Sequence, residues 1–236
     1  MKLQKLYSYT RQAINDFNLI QDGDKIAIGV SGGKDSLTLL YALSGLQKFI
    51  SEKIELVAIT VDLGFGNFEI ESVKELCQNL GIEYHVAKTQ IADILKAKIK
   101  EGSFCSLCAK MRKGALNNFA KELGCNKIAY AHHKDDFIET MLLSLFYEGQ
   151  FFSFPPIKYF KDVDITVIRP MIYIPEKDII GFQNKMKFDS VKNPCPFDKN
   201  TKRESVKKLL HQIQKENPNV KEKMFNAILK GKIYQW

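Results

Sequence analysis

The spacing of apolar residues along this chain predicts alternating strands and helices from residue 25 to about residue 190. Short runs rich in β-branched residues alternate with longer segments in which apolar side chains recur at helical spacing. This alternation is typical of an α/β fold in which a parallel sheet carries helices on both faces. Five segments have the length and composition of buried strands, at 25–30, 55–61, 83–88, 126–131 and 165–168.

Helices are expected between these strands and after the last of them. The predicted ranges are 36–48, 68–80, 91–100, 106–123, 135–147 and 176–186, and a Pro-containing link at 193–196 leads to two more at about 201–216 and 219–230. The pattern therefore predicts one α/β domain over residues 1–190. A short C-terminal helical extension follows over residues 191–236 and contributes one cysteine.

The composition is that of a globular protein, with 45% hydrophobic and 26% charged residues in 236. No apolar run approaches the roughly 20 residues of a membrane span, and the N-terminus does not have the pattern of a secretory signal. We expect a cytoplasmic protein that does not enter a membrane. The oligomeric state stays open, with a homodimer as one possibility.

The formal net charge of +8 is concentrated near the C-terminus. Residues 199–232 contain ten Lys and Arg residues against three Glu residues. A basic segment of this kind suits a polyanion such as RNA, and a solvated helix face explains it equally well.

The segment Ser31 to Ser36 reads Ser-Gly-Gly-Lys-Asp-Ser and joins the first predicted strand to a helix. The N–H groups and the dipole at a helix N-terminus attract an anion, and glycines let the backbone approach it closely. The phosphate loop of kinases and GTPases is excluded, because its Gly and Ser/Thr positions are Ile28 and Asp35 here. The order instead resembles the PP-loop of ATP pyrophosphatases, which cleave ATP between the α and β phosphates. This resemblance implies ATP binding by Gly29, Val30, Ser31, Gly32, Gly33, Lys34, Asp35 and Ser36, with Lys34 and Asp35 also catalytic.

Two further strands end in polar residues, and in such a sheet ligands bind beyond the carboxyl ends of the strands. Asp62 ends the second strand, and we expect it to face the ribose or the adenine. After the fourth strand, His132 is expected to contact the phosphates, Asp135 to act in catalysis and Asp136 to bind the cofactor, with one of these carboxylates on Mg²⁺. The alternative for Asp135 and Asp136 is capping of the next helix.

The five cysteines are unevenly spaced, which argues against a disulfide framework. Cys105 and Cys108 form a CxxC pair at the start of a basic helix, and Cys195 lies ninety residues after the first of them. The spacing alone leaves open half a zinc site, a redox pair or three ligands of an iron–sulfur cluster. Cys77 and Cys125 fall in helix and turn sequence and are expected to be buried.

Taken in order, these motifs resemble the tRNA 2-thiocytidine synthetase (TtcA) family. The resemblance covers residues 25 to about 225 and implies a PP-loop domain of the HUP type, which is Rossmann-like. It also implies that Cys105, Cys108 and Cys195 hold a [4Fe-4S] cluster with one iron left open. The segments that carry it are 31–36, 105–114, 131–136, 146–149, 155–156, 167–170 and 194–195.

The activity implied by the resemblance is tRNA thiolation. ATP would adenylate a pyrimidine carbonyl, expected at C2 of a cytidine in the anticodon loop, and sulfur would then replace the oxygen as AMP and pyrophosphate are released. The implied cofactors and partners are ATP, Mg²⁺, the cluster, tRNA and a sulfur donor, either a cysteine desulfurase or sulfide. Arg112, one helical turn after the CxxC pair, would orient phosphates or RNA.

Three alternatives stay open at this point. A ligase of the lysidine synthetase type would add an amine to the activated base and would not need three cysteines. A second alternative is thiolation of a different nucleotide. It stays open because the chain is shorter at both ends than we expect of family members. A zinc-stabilised RNA-binding protein without catalysis is the third alternative.

Overall fold

The computed structural model describes residues 1–66, 70–97, 104–188, 191 and 202–234, with the side chains of residues 104 and 105 outside the description. Its strands are β1 (Lys25–Gly29), β2 (Glu55–Asp62), β3 (Glu83–Lys88), β4 (Lys127–Ala129), β5 (Ile157–Phe160) and β6 (Ile165–Ile168). They form one sheet in the order β3-β2-β1-β4-β6-β5. Neighbouring strands pair in parallel, except that β5 runs antiparallel to β6.

The described residues also form nine helices: α1 (Leu3–Phe17), α2 (Lys34–Leu46), α3 (Glu71–Leu80), α4 (Ile91–Ala97), α5 (Phe104–Glu122), α6 (Lys134–Glu148), α7 (Glu176–Met186), α8 (Lys202–Glu216) and α9 (Val220–Lys230). Apolar residues fill two clusters. Ile28 of β1 lies in one of them, and its neighbour Ala27 lies in the other. Because successive side chains of a strand point to opposite faces, both faces of the sheet are covered. The predicted α/β class is confirmed.

Two elements were not predicted. Helix α1 buries Leu6, Thr10, Ala13 and Ile14 along one stripe, so a helical pattern was present in the sequence. Strand β5 is short and mostly exposed, and it makes the sheet mixed where a parallel sheet was expected. This is a correction at one edge, since an antiparallel edge strand is common in sheets of this class.

The order of strands reverses at β1, whose neighbours are β2 on one side and β4 on the other. Ile28 of β1 pairs with Ala129 of β4, so the two strands end at the same edge of the sheet. The loops that follow them begin at Val30 and Tyr130 and therefore lie side by side. This is the place where α/β sheets bind ligands.

The two C-terminal helices pack into the same apolar cluster as the sheet. Val206 of α8 and Phe225 of α9 are 2% exposed, and the Phe225 ring lies 6.4 Å from that of Phe137 in α6. The division of the chain at residue 190 stays a prediction, although these helices share a core with the residues before it. None of the helices in the described ranges has the length and apolar character needed to cross a membrane.

Candidate functional site

The loop from β1 to α2 is held by backbone contacts on both sides. The Val30 N–H donates to Ile59 O at 2.8 Å, and Thr60 Oγ1 donates to Val30 O at 2.8 Å. Gly32 has a φ of +76°, which favours glycine. A Cβ added at Gly32 would also lie 2.7 Å from Cβ of Val191. Glycine is therefore required at this position for conformation and for space.

Two serines fix the shape of this loop. Ser36 Oγ accepts a hydrogen bond from the Ser31 N–H at 3.1 Å and donates to Gly33 O at 2.9 Å. Gly33 is the N-cap of α2. Because glycine has no side chain, it makes no capping hydrogen bond to the N–H groups in the first turn of the helix. The first N–H groups of a helix have no intrahelical acceptors and, with the helix dipole, attract anions. The loop thus has the backbone donors that a phosphate group needs.

Lys34 is held by two carboxylates. Its Nζ donates to Asp35 Oδ1 at 3.0 Å and to Glu176 Oε1 at 3.1 Å. Burial lowers the pKa of Lys34, but these carboxylates outweigh it and the net shift is upward. Lys207 of α8 donates to both Glu176 oxygens at 3.2 Å. The sequence did not reveal Glu176 or Lys207, because the contacts span 142 and 31 residues.

His133 brings the loops after β1 and β4 together. It is almost fully buried, and its Nε2 lies 3.7 Å from Asp35 Oδ1 and 3.5 Å from Asp136 Oδ2. Its Nδ1 is buried and has no hydrogen-bond partner among the described residues. The sequence pattern predicted a role for His132 but not for His133, although both follow β4.

His132 lies between an arginine and an aromatic ring. Arg169 Nε donates to His132 Nδ1 at 3.1 Å, and the imidazole stacks on Phe154 with 4.5 Å between ring centroids. Burial and the Arg169 charge lower the pKa of His132 to about 3. Since Nδ1 accepts a hydrogen bond, the ring proton lies on Nε2. His132 is therefore a neutral N–H donor, and its contact with the phosphates stays a prediction.

Asp135 and Asp136 are both engaged by protein donors. Asp135 accepts from the Glu176 N–H at 2.7 Å and from Lys221 Nζ at 2.7 Å. Asp136 Oδ2 accepts from the His133 N–H at 2.9 Å, which is the capping contact considered as the alternative. The roles of the two carboxylates in catalysis and Mg²⁺ binding stay predictions.

Part of the C-terminal positive charge faces this site. Arg203 of α8 donates to Asp136 at 2.7 Å and to Glu139 at 3.2 Å, and Lys207 Nζ lies 3.7 Å from Glu139. Burial raises the pKa of Glu139 to about 7 despite the two cations. These two cations link α8 to α6 and α7, and the interpretation of the basic segment as a surface for RNA stays a prediction.

Asp62 is the last residue of β2, and Arg112 lies in the middle of α5. Asp62 Oδ1 accepts from the Gly64 N–H at 2.9 Å and so shapes the turn after β2. Arg112 lies in α5, and its charge acts on the Tyr130 hydroxyl after β4. Contact of Asp62 with the nucleoside and of Arg112 with phosphates or RNA stay predictions.

The cysteines are described only in part. Cys108 is half-buried in α5, whereas Cys195 and the side chain of Cys105 lie outside the described residues. In the described ranges no three His, Cys, Asp or Glu side chains are grouped to hold a metal ion. Cys77 and Cys125 are buried as expected, and burial raises the pKa of both thiols to about 11.

Comparison with known proteins identifies the family. The PP-loop domain family matches residues 3–213. The tRNA-cytidine(32) 2-sulfurtransferases of Geobacter sulfurreducens and Alcanivorax borkumensis are each 40% identical to this chain, over 97% and 96% of it and 90% and 81% of their own lengths.

Solved structures agree on the fold. The U34-tRNA thiolase NcsA from Methanococcus maripaludis, solved with its [4Fe-4S] cluster, matches with a TM-score of 0.80 at 23% identity, over 99% of this chain and 80% of its own. The NH₃-dependent NAD synthetase of Campylobacter jejuni matches with a TM-score of 0.52 at 17% identity, over 100% of this chain and 97% of its own. The chain belongs to the PP-loop family and, within it, to the tRNA 2-thiocytidine synthetase family.

Proposed function

We propose that this protein is an ATP-dependent sulfurtransferase that replaces the C2 oxygen of cytidine 32 in tRNA with sulfur, in the cytoplasm. The observation that carries the proposal is the loop Ser31 to Ser36, which caps α2 with Lys34 in place, in a chain 40% identical to relatives named for this reaction. The loop accounts for the use of ATP. The choice of cytidine 32 as the modified nucleotide rests on the name of these relatives.

The first step is activation of the base. The carbonyl oxygen at C2 of the cytosine attacks the α-phosphorus of ATP, and the bond from that phosphorus to the bridging oxygen breaks. Pyrophosphate leaves, and the N–H groups of α2 with Lys34 stabilise its negative charge. Lys34 must release Glu176 to do so, since that carboxylate accepts a hydrogen bond from its ammonium group. We assign Mg²⁺ binding to Asp135 or Asp136.

The second step exchanges the atoms. Sulfide adds to C2, and the C2–O bond breaks so that AMP departs with the original oxygen. A cysteine desulfurase supplies the sulfur instead as a persulfide, and a thiol reductant must then cleave the S–S bond and become oxidised to a disulfide. The adenylated oxygen is needed because a pyrimidine carbonyl oxygen is a poor leaving group by itself. Arg112 orients the phosphates or the RNA in this proposal.

The residues of α5 fit an iron–sulfur cluster as far as they are described. Cys108 is half-buried near the start of the helix, and the basic Lys110 and Arg112 follow it. A helix N-terminus with nearby cations favours the thiolate form that binds iron. Cys105, Cys108 and Cys195 would hold a [4Fe-4S] cluster, which when bound supplies an iron without a cysteine ligand for sulfur.

The experiment is product analysis with protein purified without oxygen. We expect pyrophosphate to form from ATP only when unmodified tRNA is present, and AMP to be released only when sulfide is present as well. Lys34→Ala should abolish both products, while Lys48→Ala, on the exposed surface after α2, should leave them unchanged. Formation of ADP and phosphate, or of an amine adduct in place of a thiolated base, would overturn the proposal.

A further inference from the structure

Three cations lie close enough to act on one another electrostatically, and within the described part of the chain none of them is paired with a carboxylate. They are Lys113 of α5, Lys158 of β5 and Arg169, which directly follows β6. Among the described residues none of the three takes part in an ion pair. They differ in this from Lys34, Lys207 and Arg203, which all contact carboxylates.

Two of these cations share one aromatic ring. Lys113 Nζ lies 4.0 Å from the centroid of Phe160, and Lys158 Nζ lies 5.5 Å from it. Lys158 and Phe160 are two residues apart in β5 and therefore point to the same face of the strand. The ring attracts both ammonium groups through its π-electrons but supplies no net negative charge.

The third cation is a buried arginine with neutral partners. Arg169 is 6% exposed, donates to His132 Nδ1 at 3.1 Å and to Pro155 O at 2.6 Å, and has its guanidinium 5.0 Å from the Phe154 centroid. An ionised group removed from water without a counter-charge is costly, so buried arginines are normally paired with an anion. Burial lowers the pKa of Arg169 to about 10. Its surroundings fix its position without neutralising it.

Nearby acidic residues do not compensate these charges. Asp164, in the turn after β5, is held by Lys121 at 2.6 Å and by the Tyr159 hydroxyl at 3.0 Å. Burial, Arg169 and Lys158 all lower the pKa of Lys113. The pKa of Lys34 is raised instead, because carboxylates surround it. The three cations thus hold an excess of positive charge that an external anion would neutralise.

We propose that Lys113, Lys158 and Arg169 form a binding site for a backbone phosphate of the RNA substrate. The inference rests on the proposed function. The phosphates of ATP are assigned to the loop after β1, whereas this cluster lies along β6 and β5, the two strands beyond β4. Arg169 links the cation cluster to the ATP loop, because it contacts His132 in the neighbouring loop after β4. A phosphodiester bound here would hold the strand so that a nearby base reaches the cleft.

The test measures equilibrium binding of unmodified tRNA to the holoprotein over a range of salt concentrations. Lys113→Gln with Lys158→Gln should weaken binding about tenfold near 0.1 M salt and reduce the slope of log Kd against log salt by about one to two. Glutamine keeps most of the contact with Phe160, and Arg169 is left unchanged because of its buried hydrogen bonds. Lys48→Gln is the control for removal of one exposed charge, and ATP binding is measured on every variant.

Unchanged tRNA affinity and salt slope in the double variant would overturn the inference. Loss of ATP affinity with tRNA affinity intact would also overturn it, since the cluster would then bind nucleotide phosphates. The proposed function is tested separately, because wild-type protein that binds tRNA but never thiolates it would contradict the function and leave the phosphate site standing.

Discussion

The ammonium group of Lys34 donates a hydrogen bond to the Glu176 carboxylate at 3.1 Å, joining the loop after β1 to the first residue of α7. Lys207 of α8 binds the same carboxylate. Carboxylates of the protein thus compensate the positive charge of Lys34. If pyrophosphate oxygens bind Lys34, as we propose, they replace one of these anionic partners.

We expect Glu176→Gln to bind ATP about threefold to tenfold more tightly, because the phosphates no longer compete with a carboxylate for Lys34. The measurement is the Kd of a non-hydrolysable ATP analogue by calorimetry. Asp178→Asn is the matched control, since Asp178 lies on the same helix and pairs with Lys5 at 3.0 Å. Weaker binding by Glu176→Gln would mean that Glu176 positions Lys34 for ATP rather than competing with it.

We expect Gly32→Ala to lose ATP binding and to destabilise the protein by about 1 to 3 kcal/mol through backbone strain, with more from the clash at Val191. Gly66→Ala separates the two effects. Gly66 has a φ of +77°, close to the +76° of Gly32, but a Cβ at Gly66 would meet no atom within 4 Å. Urea unfolding of both variants checks the prediction, and equal losses of stability would show that Val191 does not restrict the loop.

Glu139 makes the free energy of unfolding depend on pH, and the direction of the change follows from its raised pKa. Its pKa is about 7 in the folded protein against an ordinary value of 4.5, so the folded state holds the proton more tightly than the unfolded chain does. The stability that this proton contributes is present below about pH 4.5 and is lost as the pH rises through about 7.

Glutamine at position 139 does not titrate, so Glu139→Gln should not lose stability as the pH rises through about 7. Relative to Glu139→Gln, the wild-type protein should lose up to about 3 kcal/mol of unfolding free energy between pH 4.5 and pH 8. Urea unfolding at both pH values measures the difference. Glu148→Gln, at the exposed end of the same helix, should follow the wild type. A constant difference between wild type and Glu139→Gln would contradict the raised pKa.

The cysteine assignment predicts a spectroscopic difference between two thiols. Cys108→Ala should lose the iron and the visible absorption of anaerobically purified protein, because three thiolates are needed to hold the cluster. Cys125→Ala should keep both, since Cys125 is 2% exposed in the apolar core. Full iron content in Cys108→Ala would remove Cys108 from the ligand set.

Much of the fold follows from local patterns in the sequence. The strands β1, β2, β3 and β6 lie where runs of apolar residues predict them, and the Ser31 to Ser36 motif defines its own loop. Helix α1 was not predicted, although Leu6, Thr10 and Ala13 lie on one face and give its sequence an amphipathic pattern. Strand β5 has four residues, of which three are exposed, and gives no such pattern.

The electrostatic core of the site was not predictable in the same way. The contacts between Lys34 and Glu176 and between Asp135 and Lys221 join residues 142 and 86 positions apart. No local spacing indicates which of the many Lys and Glu residues will meet across the fold. The basic C-terminal segment suggested a surface for RNA, yet Arg203 and Lys207 point toward carboxylates of α6 and α7.

Mass spectrometry of tRNA treated with the holoprotein shows directly whether the protein thiolates cytidine 32. Unmodified tRNA is incubated without oxygen with ATP, Mg²⁺ and sulfide, and its fragments are then sequenced by mass. We predict that the fragment with cytidine 32 gains the mass difference between sulfur and oxygen, and that the gain disappears without ATP or with Lys34→Ala. Consumption of ATP to AMP with cytidine 32 left unmodified would contradict the account.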